Sequence, residues 1–147
     1  MTAKLFRTSM AVAISVMVLS IALFMGMLYQ YFSDQLLQEL ESETGLVSQG
    51  VDLDGLDYLN GLHTNSRVTW VAADGTVLYD SQVDAADMEN HGDREEIREA
   101  LSSETGTAQR FSSTLSEQTM YVTQRLSDGT VIRLASAQKT VGLLLIS

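Results

Sequence analysis

The chain of 147 residues contains no cysteine. That excludes disulfides, thiolate metal sites and cysteine nucleophiles, and it leaves the compartment open. Proline is absent as well, and no feature of the pattern accounts for it. Basic residues are scarce: 9 Lys and Arg stand against 19 Asp and Glu, a formal net charge of −10. No acidic residue precedes Asp34, whereas Lys4 and Arg7 do. From Asp34 onward seven basic residues face nineteen acidic ones, net −12. Such a domain is a poor nucleic-acid binder and a poor partner for anionic lipid headgroups. The familiar catalytic patterns are missing too. There is no Ser-His-Asp arrangement, no glycine-rich phosphate loop and no pair of carboxylates in a catalytic setting.

Charge is also absent from one continuous stretch, Thr8 to Ser33. Its centre, Met10 to Tyr29, reads MAVAISVMVLSIALFMGMLY. As a helix those residues would be ~30 Å long, the thickness of a bilayer's hydrocarbon core. Backbone polar groups in lipid must be satisfied within the segment, which again predicts a helix. A buried core helix seldom stays apolar all round for so long. A cleaved signal peptide has a shorter apolar part, and small-x-small triplets such as Ser20-Ile21-Ala22 lie inside this run rather than after it. The expectation is a retained membrane anchor over 9–31, with 1–8 before it. Lys4 and Arg7 place that N-terminus in the cytoplasm and the acidic remainder outside.

The remainder is long enough for one small domain. Residues 32–63 read as a helical stem. Phe32, Leu36, Leu40 and Val47 recur on one face and Leu37 widens it, a stripe that suits the following domain or a second copy of itself. Leu53, Leu56, Leu59 and Leu62 suggest a short second helix, capped by Asp52 or Asp54. From Arg67 the period changes to two. Val68, Trp70 and Ala72 alternate with Arg67, Thr69 and Val71, which predicts a strand with one face better buried. Asp74-Gly75 joins it to Thr76–Ser81, a hairpin signal of the type I′ kind. A short helix is expected over Asp93–Leu101, with Asp93 as cap and Glu96 as the acidic half of a capping box. Strands follow at Thr107–Thr114, Thr119–Leu126 and Thr130–Ala137, the last two joined by Asp128-Gly129. The order predicts an α+β domain over 64–139: a five-stranded antiparallel sheet with helices on one face. The apolar run Val141–Ile146 is too short to span a bilayer; it reads as the start of a second span, 140–147, in a sequence that is cut off.

The stretches RVTWVAADGTVLYDS, MENHGDREEIREAL and GTAQRFSSTLSEQTMYVTQRLSDGTVIRLA, with GLDYLNGL upstream, resemble the extracytoplasmic sensor region of bacterial membrane sensor histidine kinases of the phosphate-regulon type. The resemblance implies a PAS-like (Cache-type) external sensor between two spans of a plasma-membrane protein. It implies a homodimer and a cytoplasmic response regulator as partner. ATP and Mg would belong to a kinase domain outside this chain. The chain itself carries no cofactor and no phosphoacceptor helix; its histidines are His63 and His91 alone. The same sensor would also serve a chemoreceptor, a cyclic-dinucleotide enzyme or a standalone anchored binding protein.

Ligand chemistry centres on the predicted loop and helix from Asp80 to Arg98 and the strands after them. Arg94 and Arg110 suit a small anionic ligand, a carboxylate or phosphate, through bidentate hydrogen bonds. Ser81, His91, Ser112, Ser113 and Tyr121 add neutral donors. The bland alternative is that Arg94 pairs with Glu95, Glu99 or Asp80 and that Tyr121 is a strand residue. Asp84, Asp87, Glu89, His91 and Asp93 are oxygen-rich and suit a hard cation weakly; a solvated acidic loop is the stronger reading. His91 invites pH sensing, set against a loop-ordering hydrogen bond beside Asn90.

Overall fold

The structure is a computed structural model and describes residues 2–112 and 117–139. The expected start of a second span, 140–147, lies outside the described residues. The chain divides into two compact units, Met1–Leu36 and Leu37–Ser147.

The first unit is helix throughout its described residues, the opening part of α1 (Thr2–Asp54). Its most apolar window has a mean hydropathy of 2.5 and is not buried within the chain, so by length and composition it is able to cross a membrane. The few hydroxyls are satisfied locally: Thr8 Oγ1 donates to the Lys4 carbonyl at 2.9 Å and Ser15 Oγ to Ala11 at 2.8 Å. That is how a polar side chain is carried in an apolar helix without an orphan donor.

In the second unit α1 runs on to Asp54. Leu40, Thr44, Val47, Ser48 and Val51 are its buried residues, and Leu37 packs on the same core. The helix stops at Gly55, whose φ of +57° no longer permits helix; its N–H closes on the Val51 carbonyl at 2.8 Å. Helix α2 (Leu56–Gly61) follows without a side-chain cap. The expected caps do not act: Asp52 instead accepts from the Ser127 hydroxyl at 2.7 Å and from its N–H.

Strands β1 (Arg67–Val71), β2 (Val77–Asp80), β3 (Thr105–Ser112), β4 (Glu117–Arg125) and β5 (Val131–Lys139) form one antiparallel sheet in the order β2-β1-β5-β4-β3. Both Asp-Gly hairpins are present, but not as type I′ turns. Only the glycines, Gly75 at φ +92° and Gly129 at φ +88°, take a left-handed conformation. In each, the glycine N–H bonds the carbonyl three residues back, and the aspartate before it accepts from the following threonine N–H at 3.0 Å. The result is an ordinary tight turn closed by one left-handed glycine.

The core lies on one face of this sheet. Val68, Met120, Val122, Leu126, Ile132 and Leu134 pack with Leu40, Val47, Val51 and Leu59, and Trp70 and Tyr58 border them. Helices cover both faces, not one. Helix α3 (Glu95–Ser103) lies on the opposite side, where Ile97 and Ala100 meet Val71 and Val131 in a second, smaller cluster. Strand β1 is accordingly buried at Val68, Thr69 and Val71, so the expected wet face of that strand is covered as well. Helix α3 begins after Arg94, which offers no side-chain cap; the expected cap from Asp93 is absent.

Candidate functional site

One row of the sheet organises its second face. Asp80, Thr69, Arg133, Thr123 and Gly106 lie side by side across all five strands. The next row is Arg67, Ala135, Tyr121 and Ala108, and the one after holds Ala137, Thr119 and Arg110. Strand alternation puts all of these side chains on the same face. Helix α3 is held against the first row by Thr123, whose hydroxyl donates to the Glu96 carbonyl at 2.8 Å. Gly106 makes that approach possible, since a Cβ there would overlap the Glu96 carbonyl and the Thr123 hydroxyl.

The approach drops the Glu96 carboxylate between two arginines. Arg133 Nη1 donates to Oε1 at 3.0 Å; Arg110 grips both oxygens, Nη1 at 3.0 Å to Oε1 and Nη2 to Oε2. Both guanidiniums lie near the Tyr121 ring, Arg110 at 4.5 Å and Arg133 at 4.8 Å from its centre, within cation–π range. Arg133 Nη2 reaches the Thr69 hydroxyl at 3.4 Å, and that hydroxyl donates to Asp80 at 2.7 Å. Asp80 also accepts from Arg67 Nε at 3.0 and 3.1 Å and from the N–H groups of Gln82 and Val83. A chain of alternating charge thus crosses the sheet: Arg67, Asp80, Thr69, Arg133, Glu96, Arg110.

The environment sets the charge states. Burial pushes the Glu96 carboxyl up, but Arg110, its own N–H and Arg133 outweigh it and hold it below the usual carboxylate value. Asp80 behaves alike, with burial overcome by Thr69, the Gln82 N–H, Arg67 and the Val83 N–H. Glu96 raises Arg110. Burial lowers Arg133, and the positive charge of Arg67 adds to that against the pull of Glu96 and Tyr121. His91 is lowered by burial first and by Arg133 next, so it stays neutral near pH 7. Its Nδ1 lies 2.8 Å from the Glu89 carbonyl, and its N–H donates to Gly75. The loop-ordering role fits these bonds. Asn90 beside it donates to the Asp74 carbonyl and accepts from Gly92.

The structure therefore brings together Arg110 and Tyr121; His91 and Arg94 lie in the segment that leads into α3. Arg94 forms no ion pair with Glu95, Glu99 or Asp80. Ser81 stands apart. Its hydroxyl accepts from the Val68 N–H, and it lines a hollow of about 290 Å³ with Leu59, Leu62, His63 and Tyr79. Ser112 is the last residue of β3, opposite Glu117, and Ser113 lies outside the described residues. Among the described residues no three acidic or histidine side chains converge as metal ligands. Asp84, one of the weak candidates, caps a single 3-10 turn (Ala85–Asp87) by accepting from Ala86 N–H; Asp87 lies in that turn and Glu89 is exposed beyond it.

Compared with family models, curated proteins and solved structures, the chain matches none.

Sequence reading missed Arg67, Arg133, Glu96 as a buried ion and Asp80 as its counterpart. The available signal was Arg133 amid VIRLA: a charge inside a strand whose neighbours are all apolar. Among the described residues two buried side-chain donors are orphaned. The Nε atoms of Arg94 and Arg133 are buried and have no hydrogen-bond partner. Each such donor costs about 1–3 kcal/mol while nothing accepts from it.

Proposed function

We propose that this chain is the signal-input part of a bacterial membrane sensor histidine kinase, with residues 64–139 as a PAS-like extracytoplasmic domain. One observation carries the reading. A single helix, α1, supplies the apolar stretch and then, with no break, the buried residues Leu40 to Val51 of the sheet domain. A loop would absorb a displacement of the sheet; an unbroken helix passes it on. The resemblance of RVTWVAADGTVLYDS and its companions to sensor regions of that class supports the same reading. On it, the N-terminus is cytoplasmic, two copies act together, and kinase chemistry with ATP and Mg resides in a domain beyond these residues and serves a response regulator.

The test is the reading frame past Ser147. Continuation through a full apolar span into a helix with a phosphoacceptor histidine, and then an ATP-binding domain, is the expected result. A chemoreceptor rod or a cyclic-dinucleotide domain in its place, or a stop codon, overturns the kinase assignment. Orientation is checked separately with a reporter enzyme active only outside the cytoplasm. Fused after Lys139 it should be active, and fused before Lys4 it should not.

A further inference from the structure

The hollow of about 290 Å³ beside Ser81 has fixed walls and unused polar tips. One wall is the link from α2 to β1, residues 63–66. Glu43 of α1 pins it, accepting from the hydroxyl of Thr64 and, at 3.1 Å, from that of Ser66. The Ser66 N–H donates to Thr64 Oγ1 at 3.2 Å. The other wall is the end of β2 and the residues after it. Val68 and Ser81 hold each other twice there: Val68 N–H donates to Ser81 Oγ at 3.0 Å, and Ser81 N–H to the Val68 carbonyl at 2.9 Å. Asp80 accepts from the Gln82 N–H at 2.9 Å. Leu59 and Val68, both buried, make the floor. The frame of the hollow is thus set by hydrogen bonds of its own. The side-chain tips are not. His63, Asn65, Tyr79 and Gln82 line the hollow, and among the described residues none of these side chains has a hydrogen-bond partner.

We propose that this hollow binds a small neutral polyhydroxyl compound, a hexose or the terminal hexose of a glycan. The class follows from the lining. Among the described residues that line it none is acidic and none is lysine or arginine, so a full charge on the ligand would meet no counter-charge. The surrounding domain, net −12, repels anions besides. Amide, phenol, serine hydroxyl and imidazole each both donate and accept. Sugar hydroxyls do the same, whereas a carboxylate only accepts and an ammonium only donates. The apolar floor of Leu59 and Val68 offers a surface for the C–H face of a sugar ring. The volume lies at the lower end of small-ligand sites, which suits one ring. Pinned walls also keep the ordering needed on binding small. The inference deepens the sensor reading by naming a ligand class, and rests on it only for what binding would signal, through the tie of Glu43 to α1. Binding is measured on the chain itself, so its failure is separate from a failure of the reading frame.

The experiment uses the full chain in an alkyl polyoxyethylene detergent, which carries no sugar. Glucose, galactose and N-acetylglucosamine are titrated by saturation-transfer NMR, with glucuronate and inorganic phosphate as charged counterparts. Saturable binding of at least one neutral sugar is expected, about tenfold tighter than glucuronate. The trisaccharide of the preferred sugar separates the two sources: retained affinity assigns a glycan end, and lost affinity a free hexose. Tyr79→Phe, which removes only a hydroxyl, and Gln82→Ala should each weaken binding about tenfold, as the loss of one hydrogen bond to the ligand does. Both should leave the unfolding midpoint without sugar unchanged, because neither polar tip holds anything in the protein. The proposal is overturned if none of the three sugars binds saturably, if glucuronate or phosphate binds as tightly as they do, or if Tyr79→Phe and Gln82→Ala both bind as tightly as the parent chain.

Discussion

On one face of the sheet Val68, Trp70, Val122, Ile132 and Leu134 meet apolar residues of α1 and α2; on the other, Arg133 meets the Glu96 carboxylate, Thr123 its backbone carbonyl and Thr69 the Asp80 carboxylate, with the Tyr121 ring beside the Arg133 guanidinium. The strands are the same and the residues alternate. Both faces are buried, yet by different physics. The first gains from apolar area removed from water, roughly 25 cal/mol per Å². The second must recover the desolvation of its ions through pairing, and a buried pair of this kind seldom exceeds an apolar replacement in stability. A fold under selection for stability alone would have no use for the second arrangement. The contrast is therefore one of origin: burial holds the first face and pairing holds the second.

The sharpest way to break the comparison is Glu96→Ala. It leaves Arg133 buried with its charge uncompensated, and a loss of about 3–5 kcal/mol is expected. Leu134→Ala, opposite Val68 on the apolar face, should cost somewhat less, about 3 kcal/mol, through a cavity. Both are read from urea unfolding of the full chain by the fluorescence of Trp70, the single tryptophan, whose indole N–H donates to Thr130 within the folded domain. If Glu96→Ala proves milder than about 1 kcal/mol, the charged face is wetter than described. The complementary change replaces Glu96, Arg110 and Arg133 together by Met or Leu. Stability should stay level or rise by about 1–4 kcal/mol. A large loss of stability would mean that the ion network holds the sheet in register.

The smallest effect is a pH slope. His91 is buried and neutral beside Arg133, Arg94 and Glu96, and its folded pKa lies below the ordinary value. In the unfolded chain it takes a proton near pH 6.5. Between that pH and the lower folded value the unfolded state binds more protons. Stability is therefore full above about pH 6.5 and falls as pH drops below it. His91→Asn should flatten this part of the profile. Asp80 and Glu96, depressed when folded, lose their contribution only as pH falls below about 4, so the two windows separate. A slope between pH 6.5 and 5 that survives in His91→Asn would assign it to another group.

Much of the apolar face was legible in sequence, because alternation in Val68–Trp70 and the spacing of Leu40 and Val47 are local signals. The hairpins were legible for the same reason, although the turn type was not: it depends on Asp74 and Asp128 keeping negative φ while their side chains accept from Thr76 and Thr130. The charged face was only half visible. Arg110, Tyr121, Arg94 and His91 stand near the predicted loop and strands, but Arg67 and Arg133 are joined by a pairing of β1 with β5 across more than sixty residues. No periodicity reports such a register. Glu96 was read as a capping residue because its spacing from Asp93 fits one. The buried partner won: an ion between two arginines outweighs a cap that water could supply.

The strand order has one consequence in time. The central strand, β5, is the last made of the five described strands, and it pairs with both β1 and β4. Until residues 131–139 have emerged, the growing chain holds two separate hairpins, β1 with β2 and β3 with β4, and an isolated hairpin is marginal in water. Arg133 and Ile132 arrive together on that strand, so the dry core and the charged face close in one event. A chain carried across a membrane as it is synthesised would stay open, and exposed to proteases, until that final segment clears.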